Sequence, residues 1–131
     1  MKRVLPAFLC LFLVVAGGAR AQNSEGRWYT IDEDWSFELQ ERELYIAGYE
    51  SGLEYRVYNK TDDDFCFEMR LVNRENVKYL LRNDGRTNVG SGEWVRLGGH
   101  QPADAYIGSD GTPYYSTWGA DLRYRPVSGW C

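Results

Sequence analysis

Phe65-Cys66-Phe67-Glu68-Met69-Arg70-Leu71-Val72 is the stretch whose reading decides the fold. Phe65, Phe67, Met69 and Leu71 alternate with Cys66, Glu68, Arg70 and Val72. An apolar set repeating every second residue is the pattern of a strand with one face in the core. Phe65, Phe67, Met69 and Leu71 are therefore expected to point inward, and Cys66 outward with Glu68 and Arg70.

The same period recurs on both sides. Trp35, Phe37 and Leu39 alternate with Ser36, Glu38 and Gln40, and Leu44 and Ile46 with Tyr45 and Ala47. Leu53, Tyr55 and Val57 alternate with Glu54 and Arg56. Val95 and Leu97 interleave with Trp94 and Arg96, and Trp118, Ala120, Leu122 and Tyr124 with polar residues or glycine. Residues 75–82 also alternate through Val77, Tyr79 and Leu81, which favours a strand over a helical turn. Between these runs stand turn residues: Ala47-Gly48 to Gly52, Asn59 to Asp64, Asn83-Asp84-Gly85, Gly90-Ser91-Gly92, Gly98-Gly99 and Asp110-Gly111. Asn83-Asp84-Gly85 is expected to form a hairpin or tight loop. Many short strands with turns between them predict an all-β fold, a small antiparallel β-sandwich of immunoglobulin-like type, with a β-barrel as the alternative.

The first residues read differently. Lys2 and Arg3 precede an uncharged run, Val4 to Val15, followed by Ala19-Arg20-Ala21. That order is a secretory signal peptide, with cleavage expected before Gln22. The run is too short to span a bilayer, and Gly17, Gly18 and Arg20 end it. Residues 1–21 are assigned to the signal and 22–131 to one β domain, opening with a loose polar stretch, Gln22 to Gly26. The destination is the periplasm or the medium.

Export changes the charge and the cysteine count. The full chain has a net charge of −4. Cleavage removes Lys2, Arg3 and Arg20 and no acid, so −4 becomes −7. An acidic surface repels phosphate backbones and anionic lipid, which argues against nucleic acid as a partner; it fits a basic partner, or simply a soluble protein kept apart from its copies. Cys10 leaves with the signal, and Cys66 and Cys131 remain as a disulfide pair. Their bridge would lay the tail across the outer face of the Phe65–Val72 strand, with Trp130 packed beneath it.

Tyr58-Asn59-Lys60-Thr61 and Gly92-Glu93-Trp94-Val95-Arg96-Leu97 resemble, in patterning, the loop–strand phrases of small immunoglobulin-like domains in bacterial envelope proteins. The resemblance implies a fold class and carries no function with it.

No constellation here is a chemical signature. The single histidine, His100, lies in Gly98-Gly99-His100-Gln101-Pro102 without a nucleophile phrase, and is read as a loop residue. One histidine without Cys-x-x-Cys does not make a zinc site. Asp32-Glu33-Asp34 and Asp62-Asp63-Asp64 offer oxygens to calcium, yet neither follows the calcium-loop spacing, and such acids are usually solvated turns. Glu93 and Asp121 are candidate carboxylates for glycoside cleavage only if space brings them together. Asn59-Lys60-Thr61 matches a glycosylation triplet, expected to be unused behind so short a signal. No cofactor is expected.

The aromatics are the anomaly. After cleavage 5 Trp, 10 Tyr and, with Phe8 and Phe12 removed, 3 Phe remain. Tyrosines suit half-buried strands, yet aromatics also concentrate on protein- and sugar-binding faces. Residues 104–115 form the candidate binding loop, and Tyr106, Tyr114, Tyr115 and Trp118 are the candidate contact residues. The leading expectation is a non-enzymatic exported protein of assembly, adhesion or accessory type that binds another macromolecule, a protein with a basic one among the options, through an aromatic patch and an open strand edge. The alternatives are an inhibitor of an extracytoplasmic hydrolase such as a lysozyme, and a small carbohydrate-binding module.

Overall fold

The computed structural model describes residues 23–46 and 48–131; the expected signal peptide lies outside them. Eleven strands follow in order: β1 (Asn23–Glu25), β2 (Tyr29–Glu33), β3 (Phe37–Ile46), β4 (Tyr49–Asn59), β5 (Phe65–Glu75), β6 (Val77–Leu81), β7 (Arg86–Val89), β8 (Trp94–Pro102), β9 (Tyr106–Ile107), β10 (Pro113–Tyr114) and β11 (Gly119–Ser128). All pairings are antiparallel. They make a large sheet, β1-β3-β4-β8-β6, in which β2 also pairs with β3, a small sheet, β11-β5-β7, and the two-stranded ribbon β10-β9. The sheets do not close into a barrel. β1 and β2 follow one another along the same edge of β3, so the stretch expected to be loose at 23–25 is paired.

The alternation decides which side chains go inward. Phe37 and Leu39 of β3, Tyr55 and Val57 of β4 and Leu97 of β8 meet Phe65, Phe67 and Met69 of β5 and Val89 of β7 in one buried cluster. Leu122 and Tyr124 of β11 pack against it. The large sheet is thus laid over the small one, as in a sandwich. Its strand order, five positions across from three, differs from the four-against-three order of immunoglobulin constant domains. Trp35, grouped with Phe37 and Leu39 by the alternation, is 83% exposed, because β3 begins only at Phe37.

Two connections needed special backbone. Residues Asn83, Asp84 and Gly85 all lie in the left-handed region, with φ of 52°, 55° and 83°. They do not make a hairpin. They carry the chain from β6 in the large sheet to β7 in the small one, and Asn and Asp tolerate that conformation better than other side-chain-bearing residues. In β8, Leu97 has no register partner on β4, and Gly98 next to it has φ +92°. This irregularity keeps Leu97 in the core and returns His100 to the same face. Gly99 then approaches β4 so closely that a Cβ would lie 1.9 Å from the Leu53 carbonyl oxygen.

Cys66 and Cys131 are bonded, with Cα atoms 4.8 Å apart. Cys66 sits on the outer face of β5, as expected, and is nonetheless buried, because the tail lies over it. The Cys131 backbone N–H donates to Asn88 Oδ1 at 2.7 Å. Trp130 does not pack beneath the bridge. It stays exposed, since Gly129, at φ +85°, turns the chain just before it.

Candidate functional site: an acid-and-aromatic basin

The large sheet is wider than the small one that covers it, so part of its inner face stays outside the shared core. Register decides what lies there. Glu43 of β3, Leu53 of β4 and His100 of β8 are cross-strand neighbours, and Glu41 of β3 is level with Tyr55 of β4. Tyr45 is level with Glu50. Cross-strand partners share a face, so Leu53 is flanked by carboxylates on one side and aromatic rings on the other.

The rings form a row that runs from the surface into the core. Tyr115 meets Trp118 edge-on at 6.5 Å, Trp118 meets His100 at 5.5 Å, and His100 stacks on Tyr55 at 5.9 Å. The Tyr115 hydroxyl donates to the Glu50 carbonyl oxygen, which ties the 113–118 segment to the start of β4. The carboxylates complete the basin. The Tyr45 hydroxyl donates to Glu43, and Tyr55 is hydrogen-bonded to Glu41.

Burial, hydrogen bonds and neighbouring charge move Glu41, Glu50, Tyr45 and Tyr55 away from their ordinary ionisation. Burial raises the Glu41 carboxyl, with the Glu43 charge adding to it, while the Tyr55 hydrogen bond pulls the other way. Burial, and the charges of Glu43 and Glu41, raise Glu50. The hydrogen bond to Glu43 pushes the Tyr45 hydroxyl up to about 12. Burial first and the Glu41 charge second push Tyr55 far up. Among the described residues no lysine or arginine forms an ion pair with Glu41, Glu43 or Glu50. Glu41 and Glu50 are thus raised first by burial and then by neighbouring carboxylate charge.

Of the four expected contact residues, Tyr115 and Trp118 line this basin. Tyr106 and Tyr114 lie on the adjoining β9–β10 ribbon, stacked on each other at 5.5 Å and 63% and 44% exposed. Asp104 and Asp110 stand in the same loop and stay ionised. Hydrogen bonds from Asn76 and Ser116 lower the former, and the Thr112 backbone N–H leads those lowering the latter. From Leu97 to Leu122 the chain carries no lysine or arginine at all.

The other candidates resolve structurally. His100, read as a loop residue, is a buried member of β8, and its Nδ1 has no hydrogen-bond partner among the described residues. Glu93 accepts from the Gly90 backbone and Asp121 from Asn73, one beside each sheet. Asn59, the glycosylation candidate, is 0% exposed. Among the described residues, no group of His, Cys, Asp and Glu is placed to hold a metal, and no helix is long and apolar enough to cross a membrane. Glu41 and Glu43 were missed in the sequence. Their signal was there: both occupy inward positions of the run Phe37, Leu39, Glu41, Glu43, Tyr45, where an acid is out of place. Set beside known protein families, curated proteins and solved structures, the chain finds no match in any of the three comparisons.

Proposed function

We propose that the chain is a non-enzymatic exported protein that binds a basic protein partner, with the basin receiving a lysine or arginine side chain. The observation that carries this reading is the trio Glu41, Glu43 and Glu50, which forms no ion pair with a lysine or arginine among the described residues and is joined by hydrogen bonds to Tyr55, Tyr45 and Tyr115, next to which Trp118 packs. A guanidinium or ammonium entering there gains carboxylate hydrogen bonds and aromatic faces together. The exposed ribbon residues Tyr106, Ile107 and Tyr114 extend the contact, and the acid-only stretch 97–122 steers a positive partner toward it. The signal-like start and the Cys66–Cys131 bridge support work in an oxidising space, the periplasm or the medium. An inhibitor of a basic hydrolase is the narrower form of the same reading.

The test is retention of a basic protein probe, a lysozyme, on immobilised mature protein. Affinity is expected to fall steeply between low and physiological salt, and Glu43→Gln or Trp118→Ala to weaken it about tenfold, the size of one charge-assisted hydrogen bond. Retention that ignores salt and survives the Glu41→Gln/Glu43→Gln/Glu50→Gln triple change would refute the proposal. The stacked, exposed Tyr106–Tyr114 pair favours a second reading, a carbohydrate-binding module. Binding to an insoluble polysaccharide that is salt-insensitive and lost in Tyr106→Ala/Tyr114→Ala would select it.

A further inference from the structure

The outer face of the small sheet carries a second, oppositely charged feature. Arg125 of β11, Glu68 of β5 and Arg86 of β7 form one cross-strand row, and Arg123 of β11 and Arg70 of β5 form the next. Glu68 is fully committed: Oε1 accepts from Arg125 Nε at 2.9 Å and Oε2 from Arg86 Nε at 3.3 Å. Arg70 and Arg123 are directly opposite one another, and among the described residues neither forms an ion pair. Like charges set opposite across a ladder are destabilising. Here they line a groove of about 610 Å³ together with Glu68, Asp84, Arg86 and Arg125. In a chain with 19 acids and 15 basic residues, four arginines against two acids on one small face invert the overall balance.

We propose that this groove is a phosphate-binding site, with Arg70 and Arg123 holding the phosphate group between their guanidinium planes and the outward nitrogens of Arg86 and Arg125 closing around it. A phosphate anion between the two arginines offsets their mutual repulsion, and the planar donor fork of arginine matches phosphate oxygens two at a time. The phosphate is either free in solution or the headgroup of a lipid. The site is independent of the basin, which lies on the inner face of the other sheet.

Inorganic phosphate is the first probe, compared with sodium chloride at equal ionic strength on the full mature protein. Phosphate is expected to raise Tm and to shift the Nε–H signals of Arg70 and Arg123. Arg70→Gln and Arg123→Gln are expected to weaken phosphate binding at least about tenfold each. Because each change also removes the like-charge opposition, neither lowers Tm in chloride, so loss of binding is not loss of fold. Vesicles of phosphatidylcholine with phosphatidylglycerol form the second arm. Sedimentation with them that free phosphate displaces identifies the headgroup as the source, and phosphate binding without sedimentation identifies the free ion. Equal Tm and unmoved arginine signals in phosphate and chloride overturn the proposal, as does phosphate binding that persists in Arg70→Gln/Arg123→Gln.

Discussion

Asn59 shows how much one side chain can settle. Its amide donates to the carbonyl oxygens of Asp63 and Val89, and its oxygen accepts from the Thr61 backbone and hydroxyl. It thereby joins the end of β4 to β7 in the other sheet. Asn59→Ala leaves buried partners unpaired, and unfolding in urea is expected to show a loss of about 2–3 kcal/mol; a loss below about 0.5 kcal/mol would show that water replaces the amide there. His100 makes a second case. Burial holds its ring below the ordinary value of 6.5, so the unfolded chain takes up a proton that the native chain does not. Stability therefore falls as pH drops through 6.5 toward the folded value. The raised carboxyls of Glu41 and Glu50 act oppositely, further down, between 4.5 and their folded values. Thermal melts from about pH 7.5 to 6 are expected to show a falling Tm that flattens in His100→Gln. An unchanged slope in the variant assigns the effect to other groups. Neither role was legible in the sequence, where Asn59 is the first residue of a sugar-acceptor triplet and His100 follows two glycines. What both side chains do depends on neighbours in other strands.

Among the elements, β4 and β5 were plain in the sequence, because an apolar face at period two survives any choice of partner strand. Which sheet each strand joins was not plain. Alternation fixes the face of a residue and is silent about its neighbour across the ladder. The 83–85 turn is the clearest instance. Its residues announce a tight turn, and a hairpin within one sheet is the local expectation; the packing of Leu81 and Val89 into a shared core makes it a crossing between sheets. The cost of that crossing is carried by Asn83 and Asp84 in the left-handed region. Asn83→Val puts a branched side chain there and is expected to lower stability by about 1–2 kcal/mol, read as a shifted urea midpoint at unchanged slope. An unaltered midpoint would mean that the turn relaxes without disturbing β6 and β7. The basin belongs to this scale too: the strand pairing that sets Glu43, Leu53 and His100 level was invisible, while the intrusion of Glu41 and Glu43 into an inward-facing series was readable.

The whole molecule is held by two sheets of unequal width and one covalent clasp. β11 is an edge strand that pairs only with β5, and its residues Leu122 and Tyr124 cover the core from that side. Tyr124 also reaches the far sheet, donating to Asp32 Oδ2 of β2 at 2.6 Å. β11 is the last of the described strands, and an edge strand with one neighbour frays unless it is tied. The Cys66–Cys131 bond ties it, closing a separation of 65 residues. In the loop-entropy view that closure destabilises the unfolded chain by about 4 kcal/mol, a large part of what a domain of this size commands. Cys66→Ala/Cys131→Ala is therefore expected to lose about 4 kcal/mol in guanidinium unfolding, with faster amide exchange first along 119–128. The basin is separately informative. Trp118 and Tyr115 immediately precede β11, so loosening that strand is expected to weaken capture of the basic probe as well as stability. If the bridgeless protein keeps its midpoint within about 1 kcal/mol of the original and still retains the probe, the ladder from Gly119↔Glu75 to Ser128↔Phe65 holds the strand unaided. The clasp would then serve the last three residues alone.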